Sequence, residues 1–320
     1  MIVTKGVAAK KDKASFFKRF YIYQKERFPL LGHGALILSF SFSAVSYSRI
    51  CRGAEGFIPL SVFFAGAFVT VTIFFLVRVF DEFKDAEDDA QFRSYLPVPR
   101  GLISFKELTY MAVAVVALQV LVQLLLFPKM LLLYALVMGY LLLMGKEFFV
   151  PTSLKAHQPV YVASHMIIIP LVDCYASGLD WYLEDVRAPL GLLFFFGVSY
   201  MNGVVIEFGR KIRVPEKEEH GVLTYSALYG ANRATLLWLG FMLATLGLSF
   251  AASANAGYGV LAYALLSFFF VVCSLPGFIF LNNKSVKLSK TIEYASALWT
   301  VAMYLTLGAA PMLNKLLTGS

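Results

Sequence analysis

The chain has 320 residues, of which 59% are hydrophobic and only 15% are charged, and its mean hydropathy is +0.70. A soluble domain carries roughly 25% charged residues, so this balance excludes an ordinary soluble protein and indicates a chain embedded in lipid. No nucleic-acid-binding motif accompanies the net charge of +8, so we expect no nucleic-acid partner. The three cysteines lie far apart without CxxC spacing, which excludes a disulfide framework and a zinc site: Cys51, Cys174 and Cys273.

The first 28 residues are basic and aromatic and contain no apolar core of a cleavable signal peptide. The run Lys18-Arg19-Phe20-Tyr21-Ile22-Tyr23 is typical of a segment that lies along a membrane interface. We therefore predict an interfacial arm over 1–28, followed by one polytopic membrane domain over 29–320.

Nine apolar runs approach the roughly 20 residues that cross a bilayer as a helix. The fourth run is short, which leaves it open whether this span is tilted, broken or extended through Phe148 and Phe149. The sequence thus predicts an all-α membrane protein with about nine transmembrane helices, at 30–48, 57–79, 105–127, 130–145, 157–177, 188–206, 234–254, 257–281 and 292–313.

The placement of basic residues predicts the orientation, because Lys and Arg concentrate on the cytoplasmic side of a membrane. Most of the 28 Lys and Arg residues fall in the N-terminal arm and in the loops after the second, fourth, sixth and eighth runs. We predict a multi-pass integral membrane protein with a cytoplasmic N-terminus and a C-terminus on the opposite side. The acidic loop at 178–187 then lies outside, and we interpret it as a solvated cap.

The first charged loop, 80–104, follows the second apolar run directly and contains Asp81, Glu82, Asp85 and Asp89. If the helix continues beyond the membrane surface, spacings of three, four and seven residues bring these carboxylates onto one face. Like charges so arranged repel, and a divalent cation offsets the repulsion. Mg²⁺ prefers carboxylate oxygens and completes its coordination with water and substrate phosphate. The loop therefore predicts a magnesium site.

A solvated acidic helix end is the simpler explanation of such a run. The loop continues, however, with Arg93, two prolines and Gly101, and Ser104 with Glu107 forms the capping-box pattern that starts a helix. An ordered turn with carboxylates on one side and arginines on the other favours the functional interpretation.

The second charged loop, 207–233, lies four predicted spans later and on the same side of the membrane, which suggests two similar four-helix halves. It begins with Glu207 and continues with Arg210, Lys211 and Arg213, which are suited to hold a diphosphate by charge-assisted hydrogen bonds. Considered alone, these cations are explained by the general excess of Lys and Arg in cytoplasmic loops. Asn202 lies within the preceding apolar run, where polar groups face the protein interior.

Together the two loops resemble the UbiA superfamily of intramembrane prenyltransferases. The first motif of that family has the form NDxxDxxxD followed by R-P-L-P-S-G, and a second aspartate-rich motif follows four helices later. In this chain Asp81 stands at the asparagine and Glu82 at the first aspartate, while Asp85 and Asp89 keep the other two. The segment 96–101 takes the place of the R-P-L-P-S-G turn.

The second half of the resemblance is weaker. Lys155 resembles the lysine of the loop after the fourth helix, and Glu207 with the stretch 210–230 takes the place of the second motif. Leu96 replaces the arginine before the first proline, and no DxxxD pattern is present. Further glutamates are available as oxygen donors, and the choice among them stays open: Glu216, Glu218 and Glu219.

The resemblance implies a central chamber open to the cytoplasmic side, Mg²⁺ as cofactor, an isoprenyl diphosphate substrate and a lipophilic or aromatic acceptor, with membrane lipid around the domain. It implies catalytic roles for Asp85, Asp89 and Glu207, a chamber role for Asn202, metal binding by Asp81, Glu82, Asp85, Asp89 and Glu207, and diphosphate binding by Arg93, Lys155, Arg210, Lys211 and Arg213.

Two alternatives remain. A UbiA-type terpene cyclase would let a double bond of the isoprenyl diphosphate itself attack the cation, and the altered second motif keeps this open. A non-catalytic transporter or scaffold would place the two charged loops apart in space. His165 and Asp173, eight residues apart, either line the chamber or simply pair with other intramembrane polar groups.

Overall fold

The computed structural model describes residues 14–318, and every regular element within that range is helical. Short 3₁₀ turns and one π turn separate or extend the helices. The helices are α1 Phe16–Arg27, α2 Leu30–Cys51, α3 Leu60–Lys84, α4 Ala86–Phe92, α5 Phe105–Leu126, α6 Leu131–Gly145, α7 Pro151–Ala156, α8 Gln158–Met166, α9 Ile168–Trp181, α10 Gly191–Gly209, α11 Tyr225–Tyr229, α12 Ala231–Asn255, α13 Val260–Asn282, α14 Val286–Tyr304 and α15 Ala310–Thr318.

Within residues 14–318, nine helical stretches are long and apolar enough to cross a membrane. Each overlaps one of the nine predicted spans, which confirms a multi-pass all-α membrane protein. The fifth stretch combines α8 with α9, and the ninth combines α14 with α15 through the π turn. The capping box at the start of α5 is also confirmed, since the Glu107 amide donates to the Ser104 hydroxyl and the Ser104 amide donates to Glu107.

The fourth span, Pro128–Gly145, is short, with 18 residues, and it does not extend through the two phenylalanines. Glu147, Phe148 and Phe149 all have positive φ, at 46°, 52° and 61°. Left-handed backbone costs a non-glycine residue roughly 1–2 kcal/mol. This turn ends the span and directs the chain into α7.

The spans pack in two groups that meet in the middle of the bundle. Helices α10, α12, α13 and α14 contact one another, while α2, α3, α5, α6 and α9 form the other group. The groups join where α9 and α2 contact α10 and where α2 contacts α14. This grouping agrees with two halves, and the central chamber stays a prediction.

The described part of the N-terminal arm is docked on the bundle as α1. Tyr23 is fully buried in a cluster with Phe75 and Val79 of α3, and Arg19 pairs with Glu107 of α5 at 2.7 Å. Burial raises the pKa of the Tyr23 phenol far above its usual range. Phe17, on the open face of α1, is largely exposed, as an interfacial residue would be. Residues 1–13 of the arm lie outside the described residues.

The interpretation of 178–187 as a solvated cap is wrong for Asp180. Helix α9 continues to Trp181, and the Asp180 carboxylate is fully buried. It accepts hydrogen bonds from the Ser48 hydroxyl at 2.7 Å, from Arg49 at 2.8 Å and from Arg52 at 2.6 Å. This ion-pair network ties the end of α2 to the end of α9.

Candidate active site

Helix α3 ends in a set of charged and aromatic side chains that face α8. The Lys84 ammonium donates to the Asp81 carboxylate at 3.1 Å and to the Tyr161 hydroxyl at 2.9 Å. The Tyr161 ring stacks on His165, with ring centroids 3.9 Å apart. Through these contacts the first charged loop presents a carboxylate and a cation toward α8.

Glu207, at the end of α10, is the centre of a second group of charged and aromatic side chains. Its carboxylate is buried and pairs with Arg210 at 2.5 Å and with Lys211 at 2.7 Å, one turn later along the chain. The Tyr225 hydroxyl donates at 3.5 Å to Oε1 of Glu207, the oxygen that Lys211 also contacts. Burial, with Glu207 adding to it, raises the pKa of Tyr225 well above its usual range, so the phenol remains a hydrogen-bond donor.

The two charged loops converge. Glu207 raises the pKa of the Arg210 guanidinium, and Asp81 from the first loop adds to this effect, which places both carboxylates within electrostatic reach of one arginine. Half of the Arg210 side chain is exposed (53%), so its outer edge remains open to a ligand.

Direct contacts also hold the outer parts of the loops together. The Tyr95 hydroxyl donates to Glu219 at 3.1 Å, and the rings of Phe92 and His220 lie 5.6 Å apart. Gly221 has a φ of +77°, and a Cβ there would lie 2.3 Å from the Phe92 ring. A glycine is therefore required both by the backbone and by the close approach of the loops.

The first-loop carboxylates do not share one face, which corrects the sequence prediction. The helix breaks at Asp85, where φ is −92° and ψ is 10°. Glu82 and Asp89 turn toward α1, where Arg27 lies 2.6 Å from Glu82 and 3.9 Å from Asp89. Among the described residues, no three potential metal ligands form one group, so the five predicted carboxylates are not a single preformed cluster.

Glu82 and Asp89 line a small cavity of about 80 Å³ together with Val98, Pro99 and Phe105. Glu82 is 1% exposed and also pairs with Arg78 at 3.2 Å. Both arginines contact Oε1 of Glu82, whereas Glu82 Oε2 and both Asp89 oxygens are buried without a hydrogen bond in the described chain. These two carboxylates bind α1 to the first loop through Arg27, and metal binding by them stays a prediction.

Asp85 differs from the other predicted metal ligands, because it forms no ion pair with any residue in the range 14–318. Its side chain is half-buried, and burial raises the pKa of its carboxyl. Asp81, one turn earlier, is 27% exposed on its side chain. Mg²⁺ in phosphate-transfer sites takes one or two carboxylates and fills its remaining positions with water and phosphate. Asp81 and Asp85 fit that requirement.

The other predicted phosphate-binding residues lie at the rim. Arg93 pairs with Asp89, the Lys155 ammonium lies 3.3 Å from Asp88, and Arg213 lies 3.5 Å from Glu219. Lys155 is mostly exposed (63% of its side chain), so it is free to swing toward a ligand. Among the predicted basic residues, only Arg210 and Lys211 contact Glu207 directly.

An apolar groove of about 300 Å³ begins beside this charged centre. The rings of Phe208 and Tyr225 stack with their centroids 3.9 Å apart. They form the end of the groove that lies next to Glu207. Val162 of α8, Val204 of α10 and Phe241 of α12 continue its walls. Several lining side chains are exposed, so the groove opens at the surface of the bundle.

Sequence reasoning did not identify four residues of this site. Lys84 and Tyr161 hold Asp81, Tyr225 contacts Glu207, and Arg27 occupies Glu82. Lys84 lies within the acidic run and was a visible signal. Tyr225 lies within the second charged loop, whereas Arg27 and Tyr161 come from distant segments and no local pattern marks them.

Comparison with known proteins agrees with this architecture. No family model and no curated protein matches the sequence. The structure is similar to a solved structure of digeranylgeranylglyceryl phosphate synthase in membranes, with a TM-score of 0.56 and 15% sequence identity over 91% of this chain and 99% of that chain. The similarity shows that the two chains share a fold.

Proposed function

We propose that this chain, which has the fold of the UbiA superfamily, is a Mg²⁺-dependent intramembrane prenyltransferase. It would move an isoprenyl group from its diphosphate to a lipophilic or aromatic acceptor. The observation that carries this proposal is the convergence of the two charged loops beside an apolar groove. Asp81, Asp85 and Glu207 supply carboxylates at that point, and Arg210 with Lys211 supplies cations.

The carboxylates at the loop junction have the chemistry of a magnesium site. Asp85, with no ion pair in the described chain, and the partly exposed Asp81 would hold the ion. When bound, Mg²⁺ supplies positive charge that stabilises the diphosphate leaving group. Glu207 holds Arg210 and Lys211 through its ion pairs, so that both cations lie beside one carboxylate.

The basic residues are suited to bind the negative charge of the diphosphate that Mg²⁺ does not neutralise. Arg210 presents several N–H donors in a planar fork, and such a fork matches phosphate oxygens. Lys84 lies 2.9 Å from the Tyr161 hydroxyl and adds a second cation near Asp81. The exposed Lys155 is placed to approach from the rim.

The apolar groove suits the isoprenyl chain. Its aromatic end at Phe208 and Tyr225 adjoins Glu207, so a substrate with its diphosphate at the loops would place its first carbons against these rings. Aromatic faces stabilise nearby positive charge, which is the charge that develops on an allylic carbon as diphosphate leaves.

The direct test is incubation of membranes containing this protein with labelled isoprenyl diphosphates of several lengths and Mg²⁺, followed by mass spectrometry of the lipid extract. Transferase activity yields a prenylated lipid together with free diphosphate. A cyclic hydrocarbon or alcohol without an acceptor would identify a cyclase instead. Intact substrate at every chain length would refute both enzymatic proposals.

A further inference from the structure

The second charged loop holds two cations in fixed positions next to each other. Oε2 of the buried Glu207 accepts a hydrogen bond from Arg210 Nε at 2.8 Å, and its Oε1 lies 2.7 Å from the Lys211 ammonium. The Tyr225 amide donates to the Lys211 carbonyl at 3.1 Å, and the Lys211 ammonium lies 5.5 Å from the centroid of the Tyr225 ring. Side-chain and backbone contacts therefore both position this pair of cations.

The outer sides of the two cations are open. The Arg210 side chain is 53% exposed and that of Lys211 is 27% exposed, whereas that of Glu207 is 8% exposed. Each cation has more N–H donors than its contact with Glu207 uses, since a guanidinium has five and an ammonium has three. Donors therefore remain for the oxygens of a phosphate group, and the buried counter-anion holds both side chains in place before a ligand arrives.

The same contacts disfavour a metal ion at Glu207, which the sequence predicts as a metal ligand. Mg²⁺ lies about 2.1 Å from its oxygen ligands, so an ion on either Glu207 oxygen would stand within about 5 Å of Arg210 or Lys211. Charges of the same sign at that distance repel strongly where little water screens them. A divalent cation at this carboxylate would therefore have to displace a cation of the chain.

The other glutamates of the second loop do not supply a metal site in its place. Glu219 lies 3.5 Å from Arg213 and accepts from the Tyr95 hydroxyl at 3.1 Å. Glu218 accepts from the Thr224 hydroxyl at 2.6 Å and has one buried oxygen without a hydrogen bond. A single oxygen does not make a metal site, and neither glutamate belongs to a group of three potential metal ligands within residues 14–318.

The carboxylates that remain open to a metal ion lie in the first charged loop. Asp85 forms no ion pair in the described chain, and Glu82 and Asp89 have buried oxygens without a hydrogen bond there. Asp81, with 27% of its side chain exposed, lies within electrostatic reach of Arg210, so the two loops adjoin at this point. The second loop thus offers cations to a phosphate, and the first offers carboxylates to a metal.

We propose that the second charged loop binds the diphosphate of the substrate without metal, through Arg210 and Lys211, and that the divalent cation binds afterwards, between the diphosphate and the first charged loop. The inference rests on the isoprenyl diphosphate proposed above as substrate. In this order Glu207 is a positioning residue and not a metal ligand. The metal increases the affinity for diphosphate only through the first loop, so the two loops respond separately to substitution.

Diphosphate binding with and without metal tests this order and requires no turnover. Full-length protein in nanodiscs of zwitterionic lipid is titrated with radiolabelled inorganic diphosphate, once in EDTA and once with excess Mn²⁺. Mn²⁺ also binds diphosphate in solution, but equally for every variant, so the ratio of the dissociation constant in EDTA to that in Mn²⁺ is comparable among variants. We expect wild-type protein to bind diphosphate in EDTA, and Arg210→Ala to weaken this binding about tenfold or more, because it loses hydrogen bonds to a charged group.

Two acidic positions distinguish the loops. Glu207→Gln should leave the ratio within about threefold of the wild-type ratio, because effects at sites without shared partners are nearly independent. Asp85→Asn should lower the ratio about tenfold or more, since it removes a carboxylate from the metal. Glu216→Gln is the matched control, because Glu216 is an exposed glutamate of the same loop as Glu207 and should leave both dissociation constants unchanged.

Melting temperatures establish that each variant folds. Glu207→Asp, which keeps the charge, carries the test if Glu207→Gln does not fold, because a metal ligand shortened by one methylene group would also lose its contact. The proposal would be overturned by the lack of diphosphate binding in EDTA, by a ratio that falls as far at Glu207 as at Asp85, or by an unchanged ratio in Asp85→Asn.

The same preparations separate this inference from the transferase proposal. Metal-free diphosphate binding that depends on Arg210, without consumption of any isoprenyl diphosphate, would leave the binding order standing and remove the transferase function. Turnover of an isoprenyl diphosphate, together with a ratio that falls in Glu207→Gln, would do the reverse.

Discussion

Two neighbouring carboxylates of the first charged loop should respond to substitution in opposite ways. Glu82 is buried and held by Arg27 at 2.6 Å and by Arg78 at 3.2 Å. Asp85 is half-buried and forms no ion pair within residues 14–318. We therefore expect Glu82→Gln to reduce stability and Asp85→Asn to reduce activity.

The expected size of each effect follows from the contacts of the substituted side chain. Removing one partner of a buried ion pair costs about 3–5 kcal/mol, and the 13% exposure of Arg27 places Glu82→Gln near 3 kcal/mol by that range. Asp85→Asn removes an unpaired charge, so the free energy of unfolding should change by only about 0.5 kcal/mol. If Asp85 contributes to charge stabilisation of the leaving diphosphate, its loss should slow turnover at least about 100-fold.

The assay combines thermal melting in detergent with diphosphate release from a labelled isoprenyl diphosphate in the presence of Mg²⁺. Activity is normalised to the folded fraction at each temperature. Wild-type turnover by Asp85→Asn would refute its role as a metal ligand. Glu82→Gln with a wild-type melting temperature and no turnover would show that Glu82 binds the metal and that the structural role assigned to it is wrong.

Three further predictions address the rest of the molecule. Arg210→Ala and Lys211→Ala should each weaken binding of inorganic diphosphate by about 1.5–3 kcal/mol in calorimetric titration, and a similar loss for the exposed Lys287→Ala would indicate general electrostatics. Gly221→Ala should separate the two loops and lower turnover severalfold, whereas Gly257→Ala, also at positive φ but with open space around it, should affect only the melting temperature. Asp180→Ala should lower the free energy of unfolding by about 3–5 kcal/mol without changing diphosphate binding, and equal melting to wild type would contradict the role of the α2–α9 network.

The sequence predicts most of the fold because its signal is local. A run of about 20 apolar residues is sufficient to mark a span, and all nine predicted spans overlap those of the described chain. The start of α5 is equally local, since Ser104 and Glu107 cap it within four residues. The end of the fourth span was left open because left-handed backbone at Glu147–Phe149 has no glycine or asparagine to mark it.

The candidate site was only partly predictable because its pairings are long-range. Glu82 and Arg27 are 55 residues apart, and Lys84 and Tyr161 are 77 residues apart. Helical spacing alone placed four carboxylates on one face, but partners from α1 and α8 draw them to different sides. Asp180 was misinterpreted for the same reason, since the arginines that bury it lie more than 120 residues earlier.

These pairings change the physical argument for a metal. Carboxylates repel one another in the isolated sequence, and a divalent cation would relieve that repulsion. In the folded chain Lys84, Arg27 and Arg93 already offset it at Asp81, Glu82 and Asp89. The carboxylate oxygens without a hydrogen bond in the described chain, on Asp85, Glu82 and Asp89, do not form one group of three metal ligands and do not complete a magnesium shell by themselves. The remaining ligands must come from water and from the substrate's own phosphates, so we expect metal and diphosphate to bind as a pair.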